Sequence, residues 1–339
     1  MKRIQTWPLF ILFIGLTLLA TSCKDSTTTP DLLGDWMRRS DFEGKPRNGA
    51  VTFTIGTRVF VGTGYDGTFR LKDIWEFDAA KNTWFPRKEF PGVARSGAVA
   101  FTAGGKGYIG TGYDGTNRLS DFWEYDPSLD TWKSIAELPA ASKYRFGAVA
   151  LSLGNKGFVG AGFGGDVAQG SGSDLKDWWS YEPGIGWKQE QSIGGSKRTN
   201  AFSFVLNGVG YVGGGTNNQI YPIDFWAFDG TSWTQKRDLD DVAGDPTFTY
   251  NLSRESAVAF SINNAHAYLV TGNYNSILGN CWEYDPATDL WTEKTPIEGA
   301  PRDGAVGFSV GAKGYVTTGK SSSFRFDDIW ELDPSVAKI

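Results

Sequence analysis

Arg95-Ser96-Gly97-Ala98-Val99 opens a stretch that runs through Gly107-Tyr108-Ile109-Gly110-Thr111-Gly112 and Asp121-Phe122-Trp123 to the turn at Asp126-Pro127 and then Trp132. It holds a strand of small residues, a second strand ending on a glycine, a third carrying Asp-x-Trp, and a fourth that begins with Trp. The same order occurs six times. The first strand returns as Arg47-Asn48-Gly49-Ala50-Val51, Arg145-Phe146-Gly147-Ala148-Val149, Arg198-Thr199-Asn200-Ala201-Phe202, Arg254-Glu255-Ser256-Ala257-Val258 and Arg302-Asp303-Gly304-Ala305-Val306. Successive arginines lie 48, 50, 53, 56 and 48 residues apart. Self-similarity at this period is the signature of a radial or solenoidal repeat, in which one unit cannot bury its apolar face alone.

The third strand carries its Trp at Trp75, Trp123, Trp179, Trp226 and Trp330, each two residues after an Asp; in unit five Asn280 precedes Trp282. The fourth strand begins at Trp84, Trp132, Trp187, Trp233 and Trp291. Unit six ends at Ile339 before a fourth strand, and Asp35-Trp36-Met37-Arg38-Arg39 near the other end matches Thr83-Trp84-Phe85-Pro86-Arg87. The spacing therefore predicts an all-β, six-bladed propeller over residues 34–339, closed by an N-terminal outer strand around Trp36 that completes the C-terminal blade. Small residues in the first strand suit crowding at the axis, and the large aromatics suit the wider rim. Closure also removes the free edge of a linear array.

On these residues the unit resembles a kelch repeat, distantly similar to the central propeller of galactose oxidase and to sialic-acid mutarotase propellers. The family's double glycine is complete only at Gly214-Gly215; elsewhere it reads Thr63-Gly64, Thr111-Gly112, Ala161-Gly162, Thr271-Gly272 and Thr318-Gly319. The second glycine is always kept, which preserves the tight backbone position.

The N-terminus reads as targeting. Lys2 and Arg3 precede a short apolar run over Leu9 to Ala20, then Thr21, Ser22 and Cys23. The run is too short to span a bilayer and suits a signal-peptide core. Residues 1–22 are expected to be a lipoprotein signal peptide, Cys23 the lipidated residue, and residues 23–33 a polar tether. The expected location is the bacterial cell envelope, anchored by lipid to the outer membrane on its periplasmic or external side. With Cys23 lipidated, Cys281 has no partner for a disulfide. With 33 basic and 38 acidic residues the net charge is −5, and without a long basic run nucleic acid is not an expected partner. The ring is expected to be monomeric, its partners the membrane through the anchor and a glycan or protein.

Within a blade, the connections between strands one and two and between three and four are short. The other face carries the longer connections, at residues 163–176 and 238–253, and is the expected interaction face. There the six repeat arginines, Arg47, Arg95, Arg145, Arg198, Arg254 and Arg302, are candidates for a cationic funnel around the channel mouth, since guanidinium forks match carboxylate and phosphate. They could equally pair with Asp73, Asp121, Asp177, Asp224 and Asp328 as architecture. Arg70, Arg118 and Arg325 belong to the same face, near Tyr65, Tyr113 and Phe324. After the repeat arginine only units five and six place a carboxylate, Glu255 and Asp303, which are candidates for proton transfer or simply surface charges. Tyr221, Phe248, Tyr250 and Tyr274 cluster in the loops of units four and five and could stack on sugars or peptides.

With His266 as the one histidine, neither the copper site of kelch-type oxidases nor a zinc cluster can be assembled, so no metal and no cofactor is expected. The leading functional reading is a binding or scaffold module that recognises a glycan or protein through the long-loop face. The alternative is a cofactor-free mutarotase or epimerase acting on an acidic sugar such as sialic acid, which the resemblance to the mutarotases suggests.

Overall fold

The computed structural model describes residues 1, 32–139, 144–165, 172–245, 247 and 250–338. The expected signal peptide, Cys23 and the tether as far as residue 31 lie outside the described residues, as does Phe248.

Alternating apolar residues in short runs bounded by Gly, Asn and Asp make each unit a four-stranded antiparallel meander. In the second unit the strands are Val99–Ala103, Lys106–Gly110, Phe122–Asp126 and Thr131–Ile135, paired in that order. Among the described residues, five such sheets come each from one continuous stretch of chain. The sixth holds Asp303–Val310, Lys313–Ser321 and Ile329–Ala337, and its outer strand is Leu33–Arg38 from the other end of the chain. That strand runs antiparallel to Ile329–Ala337 with Trp36 opposite Leu332, so the ring closes as the Trp36 match predicted. It begins at Leu33, one residue ahead of the expected start of the propeller.

The core lies between blades. Phe53 of the first blade and Ile109 and Tyr125 of the second share one buried cluster. A Cβ on Gly107 would collide with the Phe53 ring, and one on Gly157 with Phe101, so these glycines let one blade's aromatic rest on the next blade's second strand.

At the axis the innermost strands are joined by a closed ring of hydrogen bonds. The Gly97 N–H donates to the Gly49 carbonyl, Gly147 to Gly97, Asn200 to Gly147, Ser256 to Asn200, Gly304 to Ser256 and Gly49 back to Gly304, all at 2.8–2.9 Å. Every member has a left-handed φ, between 53° and 63°. Four are glycine; Asn200 and Ser256 take the same conformation at a steric cost.

Candidate functional site

In blades one to five the repeat arginine and the residue after it lie just ahead of the innermost strand, several of them in isolated bridges to the neighbouring loops. All six repeat arginines turn into the blade and have no exposed surface. Arg47 Nη1 and Nη2 donate to Asp73 Oδ1 and Oδ2 at 2.6 and 2.7 Å, and Nη1 also reaches the Thr63 carbonyl at 3.0 Å. Trp75 Nε1 closes the set on Asp73 Oδ2 at 2.8 Å. Arg95 repeats it with Asp121 and Trp123, Arg145 with Asp177 and Trp179, and Arg302 with Asp328 and Trp330; Arg198 meets the Asp224 carboxylate through Nη2 alone, its Nη1 donating to the Asp224 and Gly214 carbonyls, and Trp226 joins the same carboxylate. The expected cationic funnel of Arg47, Arg95, Arg145, Arg198, Arg254 and Arg302 therefore does not form. Five of the forks are taken up by aspartates and carbonyls inside the blades and that of Arg254 by Asn280 and carbonyls, since a buried guanidinium needs acceptors for its donors.

The carbonyl each arginine holds belongs to the first position of the degenerate double glycine. Thr63, Thr111, Ala161, Thr271 and Thr318 all sit at left-handed φ, 56–64°, like Gly214 in blade four. For threonine this is a true steric outlier. The sequence pointed to the second glycine as the tight position; the first is tight as well, and the arginine above it fixes it.

In blades one, two, five and six the next residue lines the mouth of the channel. A cavity of about 360 Å³ opens above the hydrogen-bonded ring, lined by Asn48, Ser96, Asn200, Glu255, Asn273, Asp303 and Lys320 together with the ring backbone. Glu255 and Asp303, the two carboxylates singled out in the sequence, thus face one cavity from adjacent blades. Asp303 is 6% exposed and paired to Lys320, Nζ to Oδ1 at 3.1 Å. Glu255 Oε2 accepts from Asn200 Nδ2 at 3.1 Å. Below the ring a second cavity, of about 300 Å³, is walled by the first-strand alanines Ala50, Ala98, Ala148, Ala201, Ala257 and Ala305. The polar space is thus separated by the ring from a mostly small-residue shaft, and its polar side chains concentrate on blades four to six. Asn200, Asn273 and Lys320 were not picked out from the sequence; the departure of Asn200 from Gly at a ring position was the available signal.

The remaining candidates brace the rim. Arg70 packs its guanidinium over Tyr65 at 5.0 Å and over Tyr113 of the next blade at 4.7 Å. Arg325 lies over Tyr65 at 4.9 Å and Arg118 over Phe163 at 4.8 Å. Gly67 and Gly115 lie so close to Arg325 and Arg70 that a Cβ would crowd either guanidinium. The Tyr-Asp-Gly hairpins at Tyr65 and Tyr113 are therefore a cation–π belt linking blades six, one, two and three. Blades four and five instead pair Tyr221 with Tyr274, rings 4.7 Å apart. The long connection between blades four and five is tied down at several of its described residues. Leu239, Val242 and Leu252 join the core, and Tyr250 packs on Trp282 with ring centroids 4.9 Å apart.

Six four-stranded meanders around one axis, five of them locked by the same Arg–Asp–Trp set and the fifth blade by Arg254 on Asn280, decide the architecture. The fold is a kelch-type β-propeller. A family model described as the kelch motif matches residues 94–139, the second repeat. The chain superposes on a solved structure titled "Structure of YjhT" with a TM-score of 0.70 over 86% of this chain and 95% of that one, at 14% identity. At that identity the likeness speaks for the kelch-type fold alone. No curated protein matches the chain in sequence.

Proposed function

We propose that this propeller is a binding module that takes one sugar ring of a glycan in the axial mouth on its long-loop face. The observation that carries the reading is the asymmetry of that cavity: amides Asn200 and Asn273 and carboxylates Glu255 and Asp303 converge on about 360 Å³. Carboxylates accept from hydroxyls and amides both donate and accept, so the set matches adjacent sugar hydroxyls. The volume falls at the small end of ligand sites, roughly 300–1,000 Å³. The reading includes the lipid anchor at Cys23, with the ring held at the envelope by its N-terminal strand; Cys23→Ser should release the protein from the membrane fraction.

Thermal shift against a panel of neutral glycans tests the binding. A ligand at a hundredfold its dissociation constant should stabilise by roughly 2.7 kcal/mol. Asn273→Ala should weaken it without lowering the melting temperature of the free protein. Absence of any sugar-dependent shift would sink the reading and leave a protein partner on the loop face.

A second reading, mutarotation, is favoured by one observation: Glu255 and Asp303 face the same cavity as an acid–base pair would. Its acidic-sugar form lacks the arginine half of its site, since the repeat arginines are buried, and Lys320 is engaged by Asp303. Anomer exchange followed by NMR with neutral and acidic sugars, absent in Glu255→Gln, would establish it.

A further inference from the structure

The charges in the mouth go further than the carbohydrate reading, on which this inference rests. Three ionisable side chains line the cavity: Glu255, Asp303 and Lys320. Asp303 and Lys320 neutralise one another at 3.1 Å. Among the described residues the Glu255 carboxylate has only the neutral Asn200 amide as hydrogen-bond partner. Arg254, its neighbour in the chain, is turned into the blade and buried. Arg325 touches the cavity wall only through Asn48 and is not among the residues that line it. Its Nε donates to Asn48 Oδ1 and the Tyr65 carbonyl, its Nη1 donates to the Ser323 carbonyl, and its plane rests on Tyr65. One half-buried negative charge is thus left facing the space a ligand would occupy. Asn200 and Ser256, the two ring residues that take a left-handed φ without being glycine, are the hydrogen-bond partner and the chain neighbour of Glu255.

We propose that the mouth selects a sugar bearing a protonated amine, and that Glu255 is the group that recognises its positive charge. An ammonium donating to Glu255 makes a charge-assisted hydrogen bond, whereas a hydroxyl at the same carbon makes a weaker one and a carboxylate is repelled. The Asp303–Lys320 pair keeps the rest of the cavity neutral, so that one charge is read. Asn200, bonded to the Glu255 carboxylate, holds it toward the axis.

Calorimetry on the purified protein with glucosamine, glucose, N-acetylglucosamine and glucuronic acid tests this, at a pH where the amine is protonated and at low salt. Glucosamine should bind about tenfold tighter than glucose. N-acetylglucosamine should fall back to the glucose level and glucuronic acid should bind weakest. Glu255→Gln should erase the amine preference while glucose binding persists. Should that variant fail to fold, added salt must shrink the preference in the unaltered protein. Equal affinity for glucosamine and glucose overturns this inference alone, as does a preference that survives in Glu255→Gln or in high salt. Failure of all four sugars to bind overturns the carbohydrate reading and this inference together. Tighter binding of Nα-acetyl-lysine amide than of glucosamine overturns the aminosugar in favour of a peptide amine.

Discussion

Arg254 meets Asn280 where every other repeat arginine meets an aspartate: Nη1 donates to Asn280 Oδ1 at 2.6 Å and to the Thr271 carbonyl at 3.1 Å. The Tyr250 hydroxyl and the Asn280 amide lie against each other, which ties the long connection to this corner. Burial with no carboxylate at hand pushes the Arg254 pKa down.

Restoring the carboxylate should therefore stabilise the ring. Asn280→Asp is expected to add about 2 kcal/mol, and Asp121→Asn in the second blade to remove about 3 kcal/mol by stranding Arg95. Urea denaturation of both variants reads the two signs, and a destabilised Asn280→Asp would show that Tyr250 already compensates the guanidinium.

Acid should attack the same sets. Burial alone would raise the carboxyl of Asp73, but the hydrogen bonds and charge of Arg47 outweigh it and its pKa lies below the ordinary value. The same balance lowers Asp121 beside Arg95 and Asp328 beside Arg302; at Asp224 the Arg198 charge and the Trp226 and Ser196 hydrogen bonds overcome burial. A depressed folded-state pKa gives stability that is fully present above the unfolded value, about 3.9, and is lost as pH falls through the folded one. Unfolding free energy should thus hold level from neutral pH and drop below about pH 4. A loss already evident at pH 6 would contradict this account.

Ring closure should depend on Trp36, which is 3% exposed and donates Nε1 to the Thr295 carbonyl at 2.9 Å. Trp36→Ala is expected to cost about 3–5 kcal/mol. Deleting residues 32–38 would bare the Ile329–Ala337 edge and should bring concentration-dependent association in gel filtration.

The first position of the double glycine offers a gain. Thr111 is buried at φ 57°, and its hydroxyl has no hydrogen-bond partner among the described residues. Thr111→Gly removes the left-handed strain and the unpaired hydroxyl together, and should raise stability by about 1 kcal/mol despite the lost methyl contact. A lower melting temperature would mean that the methyl contact outweighs both terms.

Much of this molecule was legible in its sequence. The recurring Arg, Asp-x-Trp and strand-four Trp positions set six units. The Trp36 match set the closure, because a repeat that must bury its faces against neighbours writes the same local pattern every time. Even the pair of carboxylates at the mouth could be found, as the places where the repeat departs from itself. The direction in which side chains point could not. Arg254 and Glu255 are adjacent in the chain, and only the bridge of Glu255 to Asn273, with the Arg254 guanidinium bonded to Asn280 and Thr271, sends the first into the protein and the second to the axis. Nor could the sequence tell that Leu239, Val242 and Leu252 of the long connection are core, since they find their partners in residues distant along the chain. Local pattern determined the fold because each blade repeats one solution to burial. The tertiary structure alone decided which polar groups are spent on that burial and which, like Glu255, are left facing a cavity.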